Sequence, residues 1–134
     1  MRVFVDTNIL IDFVCGREEY VADAEKLFAL GCMGRVQLMT LSLSYVTTMY
    51  VAHKYGYQKV KETLRAISEF VEVVDLKGET IKQMLSSDWI DYEDAVQNAS
   101  ALYVHADCIV TRNKKDYTKS ILPIYSISEL FNIL

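Results

Sequence analysis

Two kinds of hydrophobic pattern alternate along the chain. Short apolar runs stand at Arg2–Val5, Val36–Thr40, Val71–Val74 and Cys108–Val110, with Ile124-Tyr125 as a short edge run behind Pro123. They lack the in-and-out alternation of a half-exposed strand, so they predict strands buried on both faces. Between them, apolar residues recur at helical spacing. Helices are predicted over Thr7–Val14, Glu19–Met33, Ser42–Tyr55, Gln58–Phe70, Glu79–Ser86, Asp91 to about His105, and Ser128–Leu134. Gly16, Gly34 and Gly56 stand where the early helical patterns stop. Strands alternating with helices predict a three-layer α/β/α fold around a central parallel sheet of four to five strands. The 134 residues carry one proline and no Gly/Ser-rich linker, which predicts a single domain over 1–134.

In open sheets of this kind, ligands sit beyond the carboxyl ends of the strands. The chain opens MRVFVDTNILIDF, so Asp6 stands at such an end. On that stretch alone two readings stay open: a cap for the following helix, or a carboxylate held for a metal. Thr111-Arg112-Asn113 follows the fourth strand, and Asp116 closes that loop. Asp91, Glu93 and Asp94 open a late helix, where Asp91 and Asp94 have the spacing of a capping arrangement.

If these acids converge, their mutual repulsion makes the ionised forms costly, and a divalent cation relieves that cost. All-oxygen ligands without Cys or His suit Mg²⁺ or Mn²⁺ rather than zinc. Such an ion can polarise a phosphodiester and activate water. Thr7, Asn8, Thr111 and Asn113 are the supporting polar groups. Arg112, Lys114, Lys115 and Lys119 flank the last acid, either as an exposed loop or as phosphate-positioning cations.

Composition narrows the class. Hydrophobic residues make up 51% and charged residues 24%, which is globular rather than disordered. A net charge of −4 argues against a general nucleic-acid coat but leaves room for a local basic patch. Cys15, Cys32 and Cys108 are far apart and read as reduced core thiols of a cytoplasmic protein. No run approaches the roughly 20 apolar residues of a membrane helix, and Asp6 interrupts the first apolar run too early for a signal peptide. His53 and His105 read as structural or exposed. Tyr45, Tyr50, Tyr55 and Tyr57 suit base stacking, core packing or a dimer face.

Together, VDTNILIDF and EDAVQNASALYVHADCIVTRNKKDY resemble the PIN domain, the fold of VapC-like toxin ribonucleases. The motifs stand in the family's order, the last segment being similar to TRNxxDF, and they span nearly the whole chain. The resemblance implies a Mg²⁺- or Mn²⁺-dependent RNA endonuclease, a homodimer and an antitoxin partner. It implies Asp6, Asp94 and Asp116 as catalytic metal ligands, with Asn8 and Asn113 in support. Asp91 or Glu93 would add ligands. Two positions depart from the pattern. Many members carry a Glu at the start of the helix after strand two, where TLSLSYVTTMY has no acid and Ser42 or Ser44 stands nearest. Asn113 also stands where Asp is frequent.

Three functions compete on these residues. The first is a metal-dependent ribonuclease. The second is a PIN-like module that binds RNA or protein without cutting, favoured by the missing Glu. The third, a phosphatase or phosphoacceptor domain, is disfavoured because Asn8 stands where a DxD motif needs its second acid, and no early acidic pair is present.

Overall fold

The computed structural model describes residues 1–134. Its strands are β1 (Arg2–Val5), β2 (Gln37–Leu41), β3 (Val71–Val74), β4 (Cys108–Val110) and β5 (Ile124–Tyr125). Its helices are α1 (Thr7–Cys15), α2 (Val21–Cys32), α3 (Ser42–Ala52), α4 (Tyr57–Ser68), α5 (Gly78–Leu85), α6 (Tyr92–Tyr103) and α7 (Ile127–Ile133). All neighbouring strands pair in parallel, in the order β3-β2-β1-β4-β5. This is the expected three-layer α/β/α architecture with a five-stranded sheet.

The two-residue period of each strand divides the core. Val3, Val5, Leu38, Cys108 and Val110 point into one layer, which α1, α2, α4 and α7 complete with Leu10, Leu27, Leu64 and Leu130. Phe4, Met39, Leu41 and Ile109 point into the other, which α6 fills with Val96 and Ala101. Both faces of the central strands are therefore covered, and that is why those strands lack polar alternation. β3 lies at an edge and behaves differently: Glu72 and Val73 are exposed.

Element ends differ from the sequence expectation by one or two residues. The larger change is at α3, which stops at Ala52 and gives way to a single 3-10 turn over His53–Tyr55. Gly56 follows at φ 110°, a conformation that L side chains rarely adopt. A second such turn, Lys114–Tyr117, was not anticipated, and it carries Asp116. Of the three cysteines read as core thiols, only Cys108 is buried; Cys15 is half-buried and Cys32 is exposed at the end of α2. His53 and His105 are both exposed, as one of their readings had it.

β1 and β4 are adjacent, so their carboxyl ends lie side by side. The Asp6 N–H donates to the Val110 carbonyl at 3.0 Å, and the Thr111 N–H to the Tyr125 carbonyl at 3.0 Å. The ladder thus continues one residue past each strand and sets the Asp6 and Thr111 side chains on rigid backbone.

Candidate active site

Asp6 occupies the N-cap position of α1, yet its side chain makes no capping bond. It is 2% exposed and turns into the fold instead. Gln97 Nε2 donates to Oδ1 at 2.9 Å, and the Thr111 hydroxyl donates to Oδ2 at 2.8 Å. The Tyr117 hydroxyl reaches Oδ1 at 3.4 Å. The first of the two open readings, a cap, is excluded.

A polar chain stands behind that carboxylate. The Gln97 Oε1 accepts the Thr7 N–H at 3.0 Å and the Thr7 hydroxyl at 3.1 Å. Thr7 Oγ1 lies 2.6 Å from the Ser44 hydroxyl. Since Thr7 donates its hydrogen to Gln97, Ser44 donates to Thr7. Every donor in the chain then points toward Asp6, and the backbone N–H of Thr7 fixes which end of the Gln97 amide faces the acid.

The other acids arrive from α6 and the turn after β4. Asp91 is exposed and caps α6, its Oδ1 accepting the Asp94 N–H at 3.0 Å. Asp94 is 9% exposed. Asp6, Asp91, Glu93, Asp94 and Asp116 line one pocket with Thr7, Asn8, Ile11 and Thr47, and no basic residue enters it. Burial pushes the Asp94 carboxyl up to about 7, reinforced by the charges of Asp6, Asp91 and Asp116. Burial also raises Asp6, against the lowering effect of the hydrogen bonds from Thr111, Gln97 and Tyr117. Glu93 is raised, again mainly by desolvation. The buried Tyr117 phenol is held far above its ordinary range by desolvation and the two neighbouring carboxylates, so it keeps its proton.

This donor set fits a hard divalent cation. Its polar lining offers carboxylate and hydroxyl oxygens, and no protein cation lines the pocket with them. No three acidic, imidazole or thiol side chains are close enough to enclose an ion alone. Mg²⁺ does not require that, since it commonly binds through one or two carboxylates and keeps several waters.

The missing acid after β2 has a structural counterpart. Ser44 enters the Thr7–Gln97 chain, and Thr47 lines the acidic pocket. Ser42, the other nearby hydroxyl, is spent elsewhere: it accepts the Leu76 N–H at 3.1 Å. Hydroxyls therefore form the wall where a carboxylate was expected. Asn113 is half-buried and outside the pocket lining; its N–H donates to Thr111 Oγ1 at 3.1 Å, which helps orient the Thr111 bond to Asp6.

The basic residues divide. Arg112 turns away from the acids, with Nε 2.9 Å from Asp12 Oδ2 and its guanidinium 4.1 Å from the Tyr20 ring centre. Lys114 pairs with Glu129 at 3.0 Å, and Lys119 with Asp88 at 2.7 Å. Lys115 has no carboxylate partner. It lines a cleft with Trp89, Ile90, Thr118 and Lys119 that shares Asp91 and Asp116 with the acidic pocket. Of the four cations that flank the last acid in sequence, Lys115 alone is both uncommitted and beside the site.

Sequence reasoning missed Gln97, Thr47 and Tyr117. Gln97 was detectable, because it follows Asp94 by three residues on one helix and so shares its face. Tyr117 gave no comparable signal.

The profile of the PIN domain family matches residues 2–115. No curated protein matches. Among solved structures, VapBC2 from Rickettsia felis, bound to a DNA fragment from its promoter, aligns with a TM-score of 0.69 at 16% identity, covering 94% of this chain and 98% of that one. A toxin–antitoxin complex from Klebsiella pneumoniae aligns with a TM-score of 0.68 at 22% identity, covering 93% and 97%. Mycobacterium tuberculosis VapC20, a sarcin-ricin loop cleaving toxin, aligns with a TM-score of 0.64 at 16% identity, covering 80% and 86%. At these identities the structural likeness speaks to the fold. The profile spans most of the sequence and includes the Asp6, Asp94 and Asn113 segments; the chain belongs to the PIN domain family.

Proposed function

We propose that this chain is a divalent-metal-dependent endoribonuclease, the toxin of a toxin–antitoxin pair. One observation carries the reading: Asp6 and Asp94, from different elements, face one pocket that holds five carboxylates and no cation. The family match and the toxin–antitoxin neighbours support it.

Asp6 and Asp94 would hold Mg²⁺ or Mn²⁺, with Asp116 at the open edge and Asp91 and Glu93 as outer acids. Bound there, the ion supplies Lewis-acid polarisation of the phosphodiester and a more acidic water. The protein's own part is positional. Gln97 and Thr111 fix the two oxygens of Asp6. Glu93, the outer acid whose carboxyl burial holds above its ordinary range, is suited to accept a proton from the attacking water. In-line attack on phosphorus expels the 3′-oxygen and leaves a 3′-hydroxyl and a 5′-phosphate. Lys115 meets the backbone phosphate, and the strand continues along the Trp89–Lys119 cleft.

The chain would act in the cytoplasm as a homodimer, its exposed Tyr50, Tyr55 and Tyr57 forming the contact face. Incubation with an end-labelled structured-RNA pool tests the activity. Fragments with 5′-phosphates that need Mg²⁺ or Mn²⁺ and vanish in EDTA support it; intact RNA from folded protein with either ion overturns it.

A second reading is favoured by the hydroxyl wall that replaces an acid after β2: a module that binds RNA without cutting it. It predicts RNA affinity that survives chelation and no fragments.

A further inference from the structure

One buried hydroxyl touches both principal acids. Tyr117 closes the 3-10 turn that carries Asp116, and it is 1% exposed. Its hydroxyl lies 3.4 Å from Asp6 Oδ1 and 3.3 Å from Asp94 Oδ1. A phenol has one hydrogen, so the two contacts are the legs of a single shared bond, and each leg is correspondingly long. The ring is locked by its surroundings. It packs in the layer formed by Phe4, Val96 and Ile109, and Trp89 meets it edge-on with ring centres 6.0 Å apart. The hydroxyl therefore cannot swing away to water. It stands where β1 and α6 bring two carboxylates together.

We propose that Tyr117 is a positioning residue that holds Asp6 and Asp94 together in the metal-free protein and yields those oxygens when a cation binds. This rests on the proposed metal site. Without a cation, the two acids repel whenever both are ionised, and the shared hydrogen is the one protein side-chain donor that reaches both of them. A cation between them takes the same two oxygens and makes the hydrogen redundant. The hydroxyl thus stabilises the empty site more than the filled one. Its presence weakens metal binding while keeping the acids aligned for it.

The test is Tyr117→Phe, which keeps the ring and its packing and removes only the oxygen. Two readouts that do not need activity are the melting temperature in EDTA and in Mn²⁺, and the Mn²⁺ dissociation constant by calorimetry. The expected result is a lower melting temperature in EDTA, recovery toward wild type in saturating Mn²⁺, and Mn²⁺ binding about three- to tenfold tighter than wild type. Equal destabilisation with and without Mn²⁺ would overturn the proposal and leave Tyr117 as a packing residue. Weaker Mn²⁺ binding would also overturn it, by placing the hydroxyl in the filled site. Failure of the wild type to bind Mn²⁺ would instead overturn the metal site itself. Tyr117→Leu serves as the packing control: it should destabilise the protein in both conditions alike.

Discussion

Arg112 donates from Nε to Asp12 Oδ2 at 2.9 Å and from a second nitrogen to Oδ1 at 3.3 Å. Arg17 adds a third bond to Asp12 Oδ1 at 3.1 Å. Asp12 is 1% exposed, so two cations satisfy one buried charge at the end of α1. Through Arg112, that charge also ties down the segment that follows β4, where Thr111 donates to Asp6. Replacing Asp12 by Ala leaves both partly exposed arginines without their acceptor and should cost about 1.5 kcal/mol of stability. Chemical denaturation checks this; a loss under ~0.5 kcal/mol would make the cluster ornamental.

The same pairing separates the cations by role. Lys115→Ala should weaken binding of a short non-cleavable RNA analogue and flatten its salt dependence by about one phosphate contact. A Lys114→Ala variant should leave both nearly unchanged, because its ammonium is already held by Glu129. Fluorescence anisotropy across a salt series reads both variants. Equal losses would return the phosphate contact to the whole basic run.

Asp94 makes stability depend on pH. Its folded pKa is pushed from 3.8 up to about 7, so the folded state holds a proton that the unfolded chain has already released. Stability therefore falls as pH rises from about 4 to about 7, and the full cost of the ionised acid is present above that window. In EDTA the protein should melt at a higher temperature at pH 5 than at pH 8. Asp94→Asn should flatten that slope, and a slope unchanged by the substitution would contradict the assignment.

Gln97 links Thr7 to Asp6. Gln97→Leu matches its size but strips a donor from Asp6 and an acceptor from the Thr7 N–H, all in a buried setting. A loss of about 2 kcal/mol is expected, with reduced Mn²⁺ affinity. Leucine fills the space, so a fall in metal affinity with near-normal stability would still support its orienting role. Unchanged affinity would not.

The layers of the fold were legible because Val3-Phe4-Val5 and Cys108-Ile109-Val110 are buried on both sides and display that in their composition. Asp6 was legible as a candidate, now found lining the acidic pocket, because an acid at the end of a buried strand needs an explanation. Arg112 misled, since its position in the chain is beside Asn113 while its side chain reaches back to Asp12, 100 residues earlier. Local sequence carries no record of such a pairing. The Lys114–Tyr117 turn was hidden for a similar reason: four residues are too few to show a helical period. Tyr117 owes its role to the packing around it, and Cys32 its exposure to the end of a helix.

The central claim is that Asp6 and Asp94 act through a bound cation. The most direct measurement is the rate of RNA cleavage at saturating Mn²⁺ by wild type, Asp6→Asn and Asp94→Asn, each confirmed folded by its melting curve. The account predicts rates at least ~100-fold lower in both variants, since each removes charge and not shape. Cleavage within a few-fold of wild type in either folded variant would contradict it.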